Sequence, residues 1–196
     1  MLAEKRQNFK KLENMVGTLF YKFLTPNQYS YLAIFISLIG FKFLIELKLK
    51  TALVLLATAS FLDFVDGAVA RKTETASKKG AYLDTILDRY VEGIILLGFL
   101  FLPLPQILFP NYIWIFLALF GSLMTTYAKA AGKEKGILEI ELKKGLIGRG
   151  ERMILENLAI FLGIFNLQYT IYLIIALAVL SNLTAIQRIF LVLNQK

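Results

Sequence analysis

The chain contains neither cysteine nor histidine, and this double absence narrows the chemistry open to it. Without cysteine there is no disulfide bond, and the sequence says nothing about a redox compartment. Without thiolate or imidazole ligands, a metal site must be built from oxygen donors, which favour Mg²⁺, Mn²⁺ or Ca²⁺ over zinc. The first residues also lack the apolar stretch of a secretory signal, so we expect an uncleaved N-terminus.

Charged residues are scarce as well, at 18% of the 196 residues, whereas 57% of the residues are hydrophobic. This balance predicts an all-α integral membrane protein rather than a soluble core with an anchor. The net charge of +8 would suit nucleic acid, but the basic residues occupy short segments between long apolar stretches. We therefore expect the lipid bilayer as a partner and no nucleic acid.

Residues 1–24 have the periodicity of an amphipathic helix, with apolar side chains at steps of three and four. These apolar positions are Phe9, Leu12, Val16, Leu19 and Phe23. Lysine and arginine fill the other faces, so we expect the helix to lie on the membrane surface against an anionic cytoplasmic leaflet. A helix that binds a cytosolic partner would have the same pattern.

Residues 25–196 contain six apolar stretches, which predict one domain of six transmembrane helices. The predicted spans are 28–47, 51–70, 80–102, 112–131, 150–165 and 169–192. Basic residues cluster before the first span and after the second and fourth, whereas the turns after the third and fifth are uncharged. The positive-inside rule thus predicts a multi-pass cell-membrane protein with both termini in the cytoplasm, although two lysines within 46–50 oppose this bias.

Four aspartates interrupt the second and third spans. Asp63 and Asp66 are three residues apart, which places both on one face of a helix, and Asp84 and Asp88 share a face of the next helix. Four bare carboxylates at mid-bilayer would cost roughly 10–14 kcal/mol. Two divalent cations would neutralise them, and oxygen ligands leave Mg²⁺, Mn²⁺ and Ca²⁺ open. Among these we predict two Mg²⁺ per site, with Mn²⁺ as a substitute. Ordinary acids in a cytoplasmic loop are the alternative.

Arg71 continues the helical stripe of the first aspartate pair. Its guanidinium could bind a phosphate, and carboxylates from two facing helices could hold a metal pair suited to phosphoryl displacement. The small residues Gly67, Ala70 and Gly80 leave room for a substrate to lie against the backbone. The predicted site faces the cytoplasm, where a water-soluble substrate can reach it.

The full pattern from Asp63 to Asp88 is D-x2-D-G-x2-A-R-x8-G-x3-D-x3-D. It resembles, without a gap or substitution, the motif of the CDP-alcohol phosphatidyltransferase family. Proteins of that family are membrane enzymes that transfer a phospho-alcohol from a CDP-alcohol to a second alcohol and release CMP. The resemblance implies that Asp63, Asp66 and Asp84 bind a first metal. It also implies that Asp63, Asp84 and Asp88 bind a second, with Asp88 as the proton acceptor.

The same resemblance implies a binding site for a CDP-linked lipid. Gly67, Arg71 and Ser77 would hold the nucleotide and its pyrophosphate, and the segment that starts at Pro26 resembles a further nucleotide contact, although a plain helix start would look the same. The predicted CDP-lipid-binding residues are Pro26, Asn27, Gln28, Tyr29, Gly67, Ala70, Arg71, Ser77 and Gly80. Members of the family are usually homodimers, so we expect a homodimer.

Basic residues outside the motif indicate the acceptor. Arg149 and Arg152, three residues apart, could direct two guanidinium groups at one anion, and Lys129 lies inside an apolar run. Arg188 near the end of the sixth span completes the predicted acceptor-phosphate site. Snorkelling of each side chain to the membrane edge is the alternative.

The segments LDTILDR, GLIGRGER and TAIQR resemble the branch that makes phosphatidylinositol phosphate, or its archaeal ether-lipid counterpart, from inositol 1-phosphate. That branch tends to have a further basic residue two positions after Lys129, where this chain has Ala131. The resemblance of the three segments implies a small phosphorylated alcohol as the acceptor. Glycerol 3-phosphate and serine are the alternatives. A cation- or proton-coupled transporter and an aspartate-rich prenyltransferase would also carry acids in a membrane, and release of CMP would distinguish these classes.

Overall fold

The computed structural model describes residues 10–138 and 145–195, and the regular structure there is α-helical. These residues form two compact units, an N-terminal unit of residues 10–102 and a C-terminal unit of residues 103–195. The helices of the first unit are α1 (Lys10–Phe20), α2 (Pro26–Ile45), α3 (Leu49–Lys72) and α4 (Lys78–Phe99). Those of the second are α5 (Asn111–Glu134), α6 (Arg149–Gly163) and α7 (Leu167–Leu193).

Capping residues determine where α2 and α4 begin. Pro26 has no N–H to satisfy and therefore fits the first turn of α2, and the Thr25 N–H donates to the Gln28 side chain at 2.8 Å. Ser77 caps α4 by accepting the Gly80 N–H at 3.0 Å. Because α2 packs against both α3 and α4, these two starts lie close to the end of α3.

The packing beside this junction is a buried apolar cluster to which α1, α2 and α3 all contribute. Its buried members are Val16, Tyr29, Ala33, Leu62, Val65, Ala68 and Val69. The Tyr29 hydroxyl finds a partner at the end of α1, where it donates to the Phe20 carbonyl at 2.9 Å. The cluster therefore holds the short α1 against the helix that carries the first aspartate pair.

In the C-terminal unit, α7 packs against α5 and α6. Asn182 on α7 donates to the Leu117 carbonyl of α5 at 2.8 Å. A Cβ at Gly121 would lie 2.6 Å from the Asn182 side-chain nitrogen, so only glycine permits this close approach. Thr170 on α7 donates to the Ala159 carbonyl of α6 at 2.9 Å, and this bond joins the start of α7 to the last turns of α6.

The all-α prediction is confirmed over the described residues, and a helix lies at each of the six predicted spans with ends shifted by a few residues. Four of these helices are long and apolar enough to cross a membrane, namely α2, α3, α5 and α7. Helix α4 carries charged residues as far as Glu92. Helix α6 has 15 residues, and at 1.5 Å per residue its length of about 22 Å is less than a hydrocarbon core of about 30 Å.

Helix α1 covers part of the segment predicted to be amphipathic; Phe9 and the residues before it lie outside the described residues. Val16 is buried, whereas Leu12, Met15 and Leu19 are exposed apolar side chains. One side of α1 thus packs on the protein and another presents apolar surface. Its placement on a membrane surface stays a prediction.

Candidate functional site

Three aspartates from two helices converge in the N-terminal unit. Asp63 and Asp66 on α3 and Asp84 on α4 each offer a carboxylate oxygen, and these oxygens lie within 4.8 Å of one another. Asp66 is buried, with 4% of its surface exposed, and the other two are half-buried. Carboxylates this close repel one another unless positive charge compensates them. The donor set is all oxygen, which fits Mg²⁺ or Mn²⁺.

Ser30 on α2 supports this cluster and was not predicted from the sequence. Its hydroxyl donates to Oδ2 of Asp66 at 2.6 Å, and the side chain is buried. The same hydroxyl lies 3.3 Å from the Pro26 carbonyl, the contact that a serine in an apolar helix ordinarily makes. The hydrogen bond orients the Asp66 carboxylate, as partners of metal ligands commonly do.

Asp88 lies one helical turn after Asp84 and is buried, with 8% of its surface exposed. It does not belong to the three-carboxylate group found among the described residues. The structure therefore brings together the predicted ligands of the first metal. The roles of Asp88 as a ligand of the second metal and as proton acceptor stay predictions.

A cavity of about 520 Å³ adjoins the carboxylates, between the start of α2, the end of α3 and the start of α4. This volume is typical of a site for a small molecule or nucleotide. Glycine and alanine contribute much of its wall. The predicted residues that line it are Pro26, Asn27, Asp66, Gly67, Ala70, Arg71, Ser77, Gly80 and Asp84.

Two of the predicted nucleotide contacts lie elsewhere. The Gln28 side chain caps α2, and Tyr29 is 3% exposed in the apolar cluster. Thr25 and Thr75 line the cavity instead and were not predicted. Successive residues of a helix point in different directions, so only part of the Pro26 to Tyr29 segment can face one cavity.

The cavity is positively polarised at two points. The Arg71 guanidinium lies over Gly67, because a Cβ there would be 3.2 Å from Nη1 and from Nη2. Arg71 Nη2 is also 3.1 Å from Oε1 of Glu13 on α1. The N-terminal end of α4, at Ser77 and Gly80, opens into the same cavity, and a helix N-terminus favours anions. Both features suit a phosphate group.

In the C-terminal unit, two predicted arginines converge on one residue of α5. Arg152 of α6 donates through Nη1 to Oγ1 of Thr125 at 3.2 Å. Arg188 of α7 donates through Nη1 to the Thr125 carbonyl at 2.7 Å. Both arginines are buried, with 1% and 7% of their surface exposed. Thr125 was not predicted, because a threonine in an apolar helix gives no sign of which groups face it.

The residues around this pair are also constrained. A Cβ at Gly145 would lie 2.8 Å from Thr184 Cγ2 and 3.2 Å from Arg188 Nε, so only glycine permits the backbone to approach Thr184 this closely. Lys129 lies one turn after Thr125 on α5, and Arg149 begins α6; both are half-buried. The structure thus brings Arg152 and Arg188 together on Thr125. Lys129 lies one turn from Thr125 on α5, and Arg149 lies one turn from Arg152 on α6.

Residues 23–192 match the model of a protein family described as CDP-alcohol phosphatidyltransferase. Archaetidylinositol phosphate synthase of Pyrococcus horikoshii is 33% identical over 195 residues, which cover 97% of this chain and 95% of that protein. A bifunctional IPC transferase and DIPP synthase of Aquifex aeolicus is 35% identical over 183 residues. That match covers 88% of this chain and 40% of the longer relative.

Solved structures show the same fold. The crystal structure of Mycobacterium tuberculosis phosphatidylinositol phosphate synthase (PgsA1) with CDP-DAG bound has a TM-score of 0.76 at 25% identity and covers 94% of each chain. The structure of PgsA1 in complex with manganese and citrate also has a TM-score of 0.76, at 24% identity, and covers 92% of this chain and 88% of that one. The family match spans the carboxylate cluster, the cavity and both arginines, and the chain belongs to the CDP-alcohol phosphatidyltransferase family, transferases of phospholipid biosynthesis.

Proposed function

We propose that this enzyme transfers a phosphatidyl or archaetidyl group from a CDP-linked lipid to myo-inositol 1-phosphate. The products are CMP and phosphatidylinositol phosphate or archaetidylinositol phosphate. The observation that carries the proposal is the three-carboxylate cluster beside a 520 Å³ cavity lined by Arg71 and the N-terminal end of α4. The relatives named for inositol-phosphate lipid synthesis support the choice of acceptor.

Asp63, Asp66 and Asp84 are proposed to hold one Mg²⁺, and Asp63, Asp84 and Asp88 a second, with Mn²⁺ as a substitute. The manganese complex of PgsA1 supports a divalent cation in this fold. Bound cations would supply positive charge that stabilises the negative charge on the phosphoryl group as it is transferred. The two proposed sites share Asp63 and Asp84. They differ in the third carboxylate, which is Asp66 in one site and Asp88 in the other.

The transfer itself requires one proton movement and one displacement. Asp88 takes the proton of the acceptor hydroxyl, and the hydroxyl oxygen forms a bond to the lipid-side phosphorus. The bond from that phosphorus to the CMP oxygen breaks, and CMP leaves. Arg71 stabilises charge on the departing phosphate, while Gly67, Ala70 and Gly80 allow the nucleotide to lie close to the backbone.

For the acceptor phosphate we propose Arg152 and Arg188, together with Lys129 and Arg149. Two guanidinium groups held on Thr125 present planar sets of N–H donors in one place. A dianionic phosphate satisfies several such donors at once, which a neutral alcohol cannot. This favours a phosphorylated acceptor over serine.

We also propose that the protein crosses the membrane six times, with both termini and the active site on the cytoplasmic side, and that it forms a homodimer. Residues 25–196 would form the catalytic domain, and residues 1–24 the interfacial helix. Four helices already have the length and apolarity of membrane spans. Labelling of single cysteines introduced at Ser77 and at Gln106, in a chain that has no other cysteine, would test the orientation.

The test of the reaction uses purified protein, Mg²⁺ and either CDP-diacylglycerol or CDP-archaeol. Inositol 1-phosphate, free inositol, glycerol 3-phosphate and serine are supplied in turn, and CMP and the lipid product are measured. We expect CMP release and an inositol-phosphate lipid with inositol 1-phosphate. Release of CMP with another acceptor would refute the acceptor assignment alone, and absence of CMP release with every acceptor would refute the proposed reaction.

A further inference from the structure

Helix α1 is fixed against the end of α3 that carries Arg71. A Cβ at Gly17 would lie 2.7 Å from the Ala68 carbonyl oxygen and 3.0 Å from Cβ of Lys72, so the two helices touch through backbone at this point. Val16 beside it is buried in the apolar cluster with Val65 and Val69 of α3. The position of α1 along α3 is therefore set to within a fraction of a helical turn.

Glu13 lies four residues before Gly17 and so on the same face of α1. Its carboxylate Oε1 is 3.1 Å from Nη2 of Arg71, and its side chain is 11% exposed, compared with 39% for Arg71. The Arg71 guanidinium is thus bounded by Gly67 on its own helix and by Glu13 on α1, while the arginine lines the cavity. An acid that is largely buried on a docked helix is a fixed contact for this more exposed cation.

We propose that Glu13 is a positioning residue that holds Arg71 in the orientation that binds the pyrophosphate of the CDP-linked lipid. The inference rests on the proposed function of the cavity. An arginine has several rotamers, and a substrate that must select one of them loses affinity. Glu13 contacts a terminal nitrogen of Arg71, and the geometry of a guanidinium lets an arginine contact a carboxylate and a phosphate through different nitrogens. This orienting effect exceeds the opposing one, the partial neutralisation of Arg71 by the carboxylate.

The experiment compares Glu13→Gln and Glu13→Asp with the wild type. Glu13→Gln keeps the size of the side chain and removes its charge, and we expect the KM for the CDP-linked lipid to rise about five- to tenfold with little change in the KM for the acceptor. Glu13→Asp keeps the charge and should recover part of the loss. Glu134→Gln removes an acid at the exposed end of α5, with a side chain that is 71% exposed, and serves as the matched control.

Arg71→Ala and the double variant Glu13→Gln/Arg71→Ala separate positioning from a general effect on folding. If Glu13 acts through Arg71, Glu13→Gln should have no further effect once Arg71 is alanine. An undiminished effect in the Arg71→Ala background would overturn the inference, as would an unchanged or lower KM for the CDP-linked lipid in Glu13→Gln alone.

Direct binding of CDP, measured without any acceptor, keeps this inference separable from the proposed function. We expect wild type to bind CDP and Glu13→Gln to bind it about five- to tenfold more weakly, with unchanged weak binding of cytidine, which has no phosphate. Equal CDP affinity in both proteins would overturn the role of Glu13 and leave the proposed function standing. A wild type that bound no CDP would overturn both.

Discussion

Ser30→Ala should weaken binding of the divalent cation without removing any of its proposed ligands. The variant deletes a hydroxyl that donates to Asp66 at 2.6 Å inside the protein. A hydrogen bond to a charged group contributes about 1.5–3 kcal/mol, which corresponds to a factor of roughly 10–150 in an equilibrium constant. Loss of a residue that orients a metal ligand typically lowers metal affinity about 10- to 100-fold, and the two estimates agree.

The measurement is the Mg²⁺ concentration for half-maximal CMP release. It should rise about 10- to 100-fold in Ser30→Ala, whereas the rate at saturating Mg²⁺ should stay near that of the wild type, because every carboxylate is still present. Ser30→Thr keeps a hydroxyl and should fall between the two. The same shift is expected for Mn²⁺.

Ser37→Ala is the matched control for this experiment. Ser37 lies two turns further along α2, is fully buried, and donates to the Ile34 carbonyl at 2.8 Å rather than to a carboxylate. Its replacement by alanine should leave the Mg²⁺ dependence unchanged. An unchanged Mg²⁺ requirement in Ser30→Ala, or an equal shift in Ser37→Ala, would refute the orienting role of the Ser30 hydroxyl.

The remaining predictions concern the reacting groups and the acceptor. Asp84→Asn removes a ligand charge and should abolish CMP release at any Mg²⁺ concentration, as a chelator should in the wild type; turnover without a divalent cation would contradict both. Asp88→Asn should lower kcat far more than CDP affinity, and equal losses would indicate that its role as a ligand outweighs its role as proton acceptor. Arg71→Lys should raise the KM for the CDP-linked lipid, since an ammonium cannot replace a planar fork; full activity would contradict this. Thr125→Val loses the 3.2 Å contact with Arg152 and should raise the KM for inositol 1-phosphate about tenfold, whereas Thr125→Ser should not.

Most of the fold follows from features that are local in the chain. Apolar stretches predicted six helices, and the capping residues Thr25 and Ser77 with the proline after the first explain why two of them begin where they do. The predicted span 150–165 gives α6 to within two residues at each end, although its apolar stretch continues past Gly163, where the helix ends. The family, inferred from the motif alone, is confirmed by the match over residues 23–192.

The candidate site could be predicted only as far as spacing along a helix allows. Spacing places Asp63 beside Asp66 and Asp84 beside Asp88, but it does not give the distance between the two helices. That distance brings Asp84 within 4.8 Å of the first pair and leaves Asp88 outside the group. The position of the Tyr29 side chain could not be predicted from spacing either. Asn27 and Ser30 line the cavity, whereas Tyr29 packs in the apolar cluster.

Three residues that the sequence did not reveal share one property, which is that each contacts a predicted residue from a different helix. Ser30 donates to Asp66, and Thr125 accepts a hydrogen bond from Arg152. Glu13 pairs with Arg71. The motif supplies the aspartates and Arg71, and α6 supplies Arg152, whereas in each case a different helix supplies the partner that orients the charged group. A partner of this kind acts on geometry, so its loss should reduce affinity for one ligand and spare the rate at saturation. Loss of an aspartate removes the charge itself, and no concentration of ligand should restore the rate.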